Sequence, residues 1–278
     1  MAHYYIKHRD YININIAMEI RIYSHNVRYA TNHRAKGELP WAERKPLVAS
    51  SILFNARNDA VVGLQEVLPN QLVEILAELG PHWKHAGVGR NDEVPDENEA
   101  APIIYNSKVW DLVTTKTYWL SETPDIPSRG WDAVLNRIAT WARLKNRASK
   151  QEINVLNTHF DHVGDIARQE SAKFIIRLAE QVGDYPTVLM GDFNMTPDHP
   201  GYDILAGAFT DSGTHLPKEE TYGHWNTYTG FEDGDSSRID YIFAIKGFTV
   251  QTYGVLHSYF KKVKFSDHRP IVSDLLIE

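Results

Sequence analysis

Thr187-Val188-Leu189-Met190-Gly191-Asp192-Phe193-Asn194 sets the pattern from which the architecture follows. A short β-prone run ends abruptly in Gly, Asp and Asn, residues that terminate strands and favour turns. Asp192 and Asn194 stand two apart at a strand end, so their side chains share a face. Alone, the tetrapeptide is equally a plain turn. The same pattern recurs along the chain. Asn26 closes a strand from Glu19 to Val27 that carries Ile20 and Ile22 on one face. Gln65-Glu66 follows the buried run Ala60 to Leu64. Thr158-His159-Phe160-Asp161-His162 follows Ile153 to Leu156, and Ser266-Asp267-His268 precedes the run Pro270 to Leu275.

These clusters supply carboxylates, amides and imidazoles, the groups needed for a metal-assisted attack on a phosphate ester. Asp192, Asn194, Glu66 and Asp267 offer oxygen ligands, which hard cations such as Mg²⁺ and Mn²⁺ prefer. Each signal is weaker alone. A Glu near Pro69 is often a dipole contact at a helix start, and an isolated Asp-His pair is often a surface loop. Asp240, in Arg238-Ile239-Asp240, could orient an imidazole or simply cap a strand. Alternation places His159 and Asp161 on one face and His162 on the other. Zinc ranks below Mg²⁺ or Mn²⁺, because the chain has no Cys and no His-Glu-x-x-His helix. Gly-x-Ser-x-Gly, P-loop and dinucleotide fingerprints are absent from the sequence. Trp131, and Trp225 beside His224, are candidates for a substrate rim, with packing as the competing role. Arg28, Arg34, Lys36, Arg44 and Arg90 fall near the expected mouth.

The 278 residues, 42% hydrophobic and 23% charged, suit one large α/β domain. No composition break marks a linker, so 18–278 reads as one domain and 1–17 as an N-terminal extension. Met18 directly precedes the first strand. No apolar run approaches the roughly 18 residues of a membrane span, and 1–17 lacks a signal-like apolar core. The expectation is a soluble, cytoplasmic protein. A formal charge of −7, without an interleaved basic and aromatic stripe, argues against a processive duplex nuclease.

Helices are expected after Pro46, from Pro69 to Leu79, and from Gly164 to Val182. Strands are expected at Ile103 to Tyr105, Trp110 to Leu120, Ile138 to Leu144, Ile239 to Ala244 and Phe248 to Leu256. Asn91 to Asn98 reads as an acidic loop. Strands outnumber helices and often follow one another directly, which suits two packed sheets with helices outside.

The order of the clusters resembles the endonuclease/exonuclease/phosphatase superfamily from about Glu19 to Ile277. Tyr118 to Pro124, Gly130-Trp131-Asp132, Arg137, Thr140-Trp141 and Ala167-Arg168 are similar to a microbial branch related to its deadenylase/nocturnin side. The resemblance implies a four-layered α/β sandwich, two packed mixed β-sheets flanked by helices. It also implies a Mg²⁺- or Mn²⁺-dependent hydrolase acting on phosphodiesters or phosphomonoesters by in-line attack of water. Carried over residue by residue, it makes Glu66 the principal metal ligand, with Asn26 and Asp267 on the metal side. His159, Asp192, Asn194 and His268 become the catalytic set, with Asp240 orienting His268. Glu99 becomes a partner for His159. Arg90, Arg137, Trp131 and Trp225 are the candidates for substrate contact. The implied substrate is a phosphorylated small molecule, a nucleotide or a short single-stranded nucleic acid, and no protein partner is implied.

Overall fold

The computed structural model describes residues 18–57, 59–91, 98–232, 236–260 and 262–277. The expected extension 1–17 and most of the acidic loop lie outside them. The chain opens with β1 (Glu19–Asn26), α1 (Trp41–Asn55), β2 (Val61–Gln65) and α2 (Pro69–Leu79). Next come β3 (Trp83–Ala86), β4 (Ile103–Asn106), β5 (Trp110–Trp119), β6 (Ile138–Asn146) and β7 (Glu152–His159). Then follow α3 (Asp165–Gln181), β8 (Thr187–Asp192), α4 (Pro200–Ala206), β9 (Thr210–Asp211) and α5 (Ser212–His215). The remaining strands are β10 (Thr221–Gly223), β11 (Asp240–Lys246), β12 (Phe248–Val255), β13 (Tyr259–Phe260), β14 (Val263–Lys264) and β15 (Ile271–Ile277).

Two mixed sheets, ordered β10-β12-β15-β1-β2-β4-β3 and β5-β6-β7-β8-β11-β9, pack face to face. Alternate residues of each central strand serve different layers. Ile20, Ile22, Val61, Val155, Val188, Met190 and Ile242 fill the space between the sheets. Tyr23, Val62 and Leu64 point the other way, onto Val48 and Ile52 of α1 and Leu72 and Ile75 of α2. Leu156, Leu189, Tyr241 and Phe243 meet Ile175 and Leu178 of α3 and Leu205 of α4. Both faces of these strands are therefore apolar, which explains their near-continuous hydrophobic runs. The result is the expected helix–sheet–sheet–helix sandwich.

Several details differ from expectation, among them the short α5, β9, β10, β13 and β14. The first helix starts at Trp41, with Pro46 inside it. Proline already has a helical φ and loses only one hydrogen bond near the first turn, so it did not mark the boundary. The edge strand β3 alternates poorly, with Lys84 and His85 both exposed between buried Trp83 and Ala86, so periodicity missed it. The short α4 was missed as well, although His199-Pro200 opens it.

The register carries the polar clusters to one end of the sandwich. Asn26 pairs with Gln65 across parallel β1 and β2. His159 pairs with Asp192 across parallel β7 and β8, and Asp240 pairs with Asp192 across antiparallel β11 and β8. Ser24 pairs with Ile271 at the start of β15, so Asp267 and His268 enter beside the end of β1. A polar bridge ties the sheets together just below: Gln65 Nε2 donates to Asn157 Oδ1 at 2.7 Å. Asn157 Nδ2 donates to the carbonyls of Leu64 and Pro102, each at 2.8 Å.

Candidate active site

The strand ends open into a cleft of about 1350 Å³, lined in part by Glu66, Arg90, Glu99, Arg137, His159, Asp192, Asn194, Asp267 and His268. Immediately beyond their strands, Arg28, Glu66 and Asn194 adopt positive φ of 58°, 59° and 49°. Non-glycine residues pay roughly 1–2 kcal/mol for that conformation. Three such residues around one cleft mark a backbone held there by its surroundings.

Asn26 is fully buried and joins two carboxylates. Its Nδ2 donates to Glu66 Oε1 at 3.0 Å and to Asp192 Oδ2 at 2.9 Å. Its Oδ1 accepts from the Arg28 amide at 3.0 Å. Glu66 Oε2 accepts from the Tyr29 amide at 3.1 Å. Asp192 Oδ1 accepts from the Asn194 amide at 2.9 Å, which explains the turn at Asn194.

Two imidazoles approach the same Asp192 oxygen. His159 Nε2 lies 3.5 Å from Asp192 Oδ2, and His268 Nε2 lies 3.7 Å from it. His268 Nδ1 lies 2.9 Å from Asp240 Oδ2, so the expected orienting pair is present. Their surroundings push the two rings in opposite directions. Burial disfavours a charged His268, but the Asp240 and Asp192 carboxylates prevail and hold its pKa well above the usual value. Burial, reinforced by the Arg137 and Arg90 guanidinium groups, holds the His159 pKa well below it. Burial and the neighbouring Asp240 push Asp192 up to about 7. Burial likewise raises Asp267, with Glu66 adding repulsion. Burial opposes ionisation of Glu66, yet the Asn26 hydrogen bond and Arg28 hold it low. Two carboxylates thus sit together, with ligand atoms of Glu66 and Asp192 within 4.8 Å of each other and the His159 imidazole beside them. That donor set fits a hard divalent cation.

Other expected residues are placed differently. Glu99 does not meet His159; its Oε1 accepts from Arg90 at 2.7 Å. The Nδ1 of His159 faces Arg137 instead, at 3.0 Å. His162 is not separated from His159, because β7 stops at His159 and strand alternation no longer applies. Its Nδ1 lies 2.9 Å from the same guanidinium, so neither Nδ1 is turned to a zinc ion. Trp131 has a positive φ of 50° and is not among the residues lining the cleft. Trp225 is half exposed and covers the Arg238 guanidinium at 4.5 Å, so cation–π packing occupies it. Arg44 is buried, donating to the carbonyls of Val27, Phe265, Arg28 and Leu39. Tyr228 was missed. Its ring lies 5.1 Å from that of His268, brought there by backbone bridges to Ser237 and His268. Nothing within its polar stretch signals such non-local pairing.

Comparison with known proteins agrees with this geometry. The endonuclease/exonuclease/phosphatase family model matches residues 23–268. A solved family protein from Bacteroides thetaiotaomicron is 32% identical with a TM-score of 0.84, covering 94% of this chain and 99% of that one. A mannosyl-6-phosphatase from the same organism is 32% identical with a TM-score of 0.81, covering 92% and 99%. Nocturnin from Drosophila melanogaster is 38% identical over 182 residues, 61% of this chain but only 26% of that protein. An uncharacterised mimivirus protein matches at 27% identity over 59% of this chain and 63% of its own length. From its strand order to its family match, the chain belongs to the endonuclease/exonuclease/phosphatase family and has the DNase I-like fold.

Proposed function

We propose that this chain hydrolyses phosphate esters with a bound Mg²⁺ or Mn²⁺. One observation carries the reading: Asn26, His159 and His268 converge on Asp192 Oδ2 at 2.9, 3.5 and 3.7 Å, with Glu66 held beside it by Asn26. Glu66 would hold the cation with Asp192 and Asp267 close by, while Asn26 fixes the carboxylates. When bound, the cation supplies Lewis-acid polarisation of a phosphate oxygen. Asp192 orients the attacking water and draws its proton. Asn194 holds the phosphate in line. His268, cationic through Asp240, donates to the oxygens on which charge grows. His159 donates from the other side, toward the leaving oxygen. Arg90 and Arg137 add positive charge to the wall that receives the substrate.

The mannosyl-6-phosphatase relative supports a sugar phosphomonoester as substrate, with nucleotides, other phosphodiesters and short single strands as the wider class. A panel of these esters, run with Mg²⁺, Mn²⁺ or a chelator, tests the reading. Activity should vanish with chelator. Glu66→Ala and His268→Ala should each lower turnover by about 10²–10³, the usual effect of removing one transition-state donor. Near-native turnover in either variant, or in chelator, would remove the proposal.

A further inference from the structure

Arg137 is almost fully buried at the cleft wall, and its guanidinium forks between two imidazoles. Nη1 lies 3.0 Å from His159 Nδ1, Nη2 lies 2.9 Å from His162 Nδ1, and Nε lies 3.4 Å from Asp161 Oδ2. A guanidinium has donors only and keeps its proton at any working pH. Each facing Nδ1 can therefore join a hydrogen bond only as an acceptor, without a proton of its own. In a neutral ring the single proton must then sit on Nε2.

One neighbour competes for His159. Its Nε2 lies 3.0 Å from Asn194 Nδ2, another N–H donor, and 3.5 Å from Asp192 Oδ2, an acceptor. A neutral imidazole accepts at one nitrogen only. A charge-assisted bond is roughly twice as strong as a neutral one, so Arg137 prevails over the amide. The Asn194 amide keeps a second acceptor, the Phe160 carbonyl at 3.0 Å. Asp192 can receive the Nε2 proton.

We propose that Arg137 is a positioning residue that fixes His159 and His162 in the tautomer whose proton lies on Nε2. His159 thereby meets the reacting phosphate with an Nε2–H donor. A second proton on this ring would have to sit on Nδ1, facing the guanidinium. His162, exposed and lining the cleft, presents a second Nε2–H to incoming phosphate oxygens. The catalytic half of this inference rests on the phosphoesterase reading, whereas the tautomer assignment stands on geometry alone.

Long-range ¹H–¹⁵N correlation spectra of protein labelled at histidine test it, with His159→Gln and His162→Gln identifying the signals. Wild type should show His159 and His162 with a protonated Nε2 and a bare Nδ1. In Arg137→Met both rings should shift toward the other tautomer or a mixture, and kcat should fall about 10–100-fold with a smaller change in KM. Arg137→Lys keeps the charge but cannot fork, so at least one ring should lose its fixed tautomer. A wild-type spectrum with the proton on Nδ1 of His159 overturns the proposal, even if Arg137→Met fails to fold. So does an Arg137→Met spectrum identical to wild type. If wild type cleaves no ester in the panel while the tautomers are as stated, the functional reading fails and the tautomer assignment stands.

Discussion

Residue by residue, the site is a meeting of imidazoles and carboxylates: His159 and His268 approach the same Asp192 oxygen at 3.5 and 3.7 Å. Glu66, Asp192 and His268 each follow or precede a β-prone run, so the sequence marks them. The fork of Arg137 onto His159 and His162 depends on where β7 ends, which alternation cannot say. His25 was likewise invisible, sitting inside an apolar strand. It is buried behind the site, its Nε2 3.3 Å from the His268 carbonyl. Burial pushes its pKa down to about 3, against about 6.5 in an unfolded chain. The fold therefore holds the neutral form. Stability from this group is complete above about pH 6.5 and is lost as pH falls toward 3, at about 1.4 kcal/mol per unit. Between pH 6.5 and 5 wild type should lose about 2 kcal/mol more than His25→Gln, measured by urea unfolding at each pH. Parallel curves for the two proteins would show that His25 is not the acid-labile group.

At the element scale, strands with both faces buried were found by their apolar runs, and α2 and α3 by their stripes and stops. Short or edge elements such as β3 and α4 lack enough periods to stand out. Gly191 shows how an element places a side chain. Its φ is 155°, and an added Cβ would lie 2.2 Å from the Thr158 carbonyl oxygen on β7. Backbone cannot yield there as a flexible side chain would. Gly191→Ala should force β8 away from β7, displacing Asp192 from His159 at the matching register position. The expected result is destabilisation by about 1–3 kcal/mol, as for other overpacked interiors, with a fall in turnover. Unfolding curves and kinetics on the purified variant check both. Unchanged stability would mean the strands separate without cost at this point.

At the scale of the whole molecule, two sheets from distant parts of the chain must stack before any site exists. Glu66 and Asn26 belong to one sheet, and His159, Asp192 and Asp240 to the other. A cation bound between them would bind the folded state alone and so stabilise it. At a free concentration about 100 times its Kd the gain is about 2.7 kcal/mol, or a rise of roughly 5–10 °C in Tm for a chain this large. Thermal melts with Mg²⁺, Mn²⁺ and chelator should show that rise, and Glu66→Ala should abolish it. Equal melts in all three conditions would argue against a cation at this cleft. The layered α/β class and the order of the reactive clusters are readable in the chain, because strand periodicity and strand-end residues are local properties, and the family follows from that order as a resemblance. Folding settles which nitrogen faces which carboxylate or guanidinium, that Glu99 accepts from Arg90, and that Trp225 covers Arg238. Those contacts join residues far apart in the chain, and their geometry exists only once register and stacking are set.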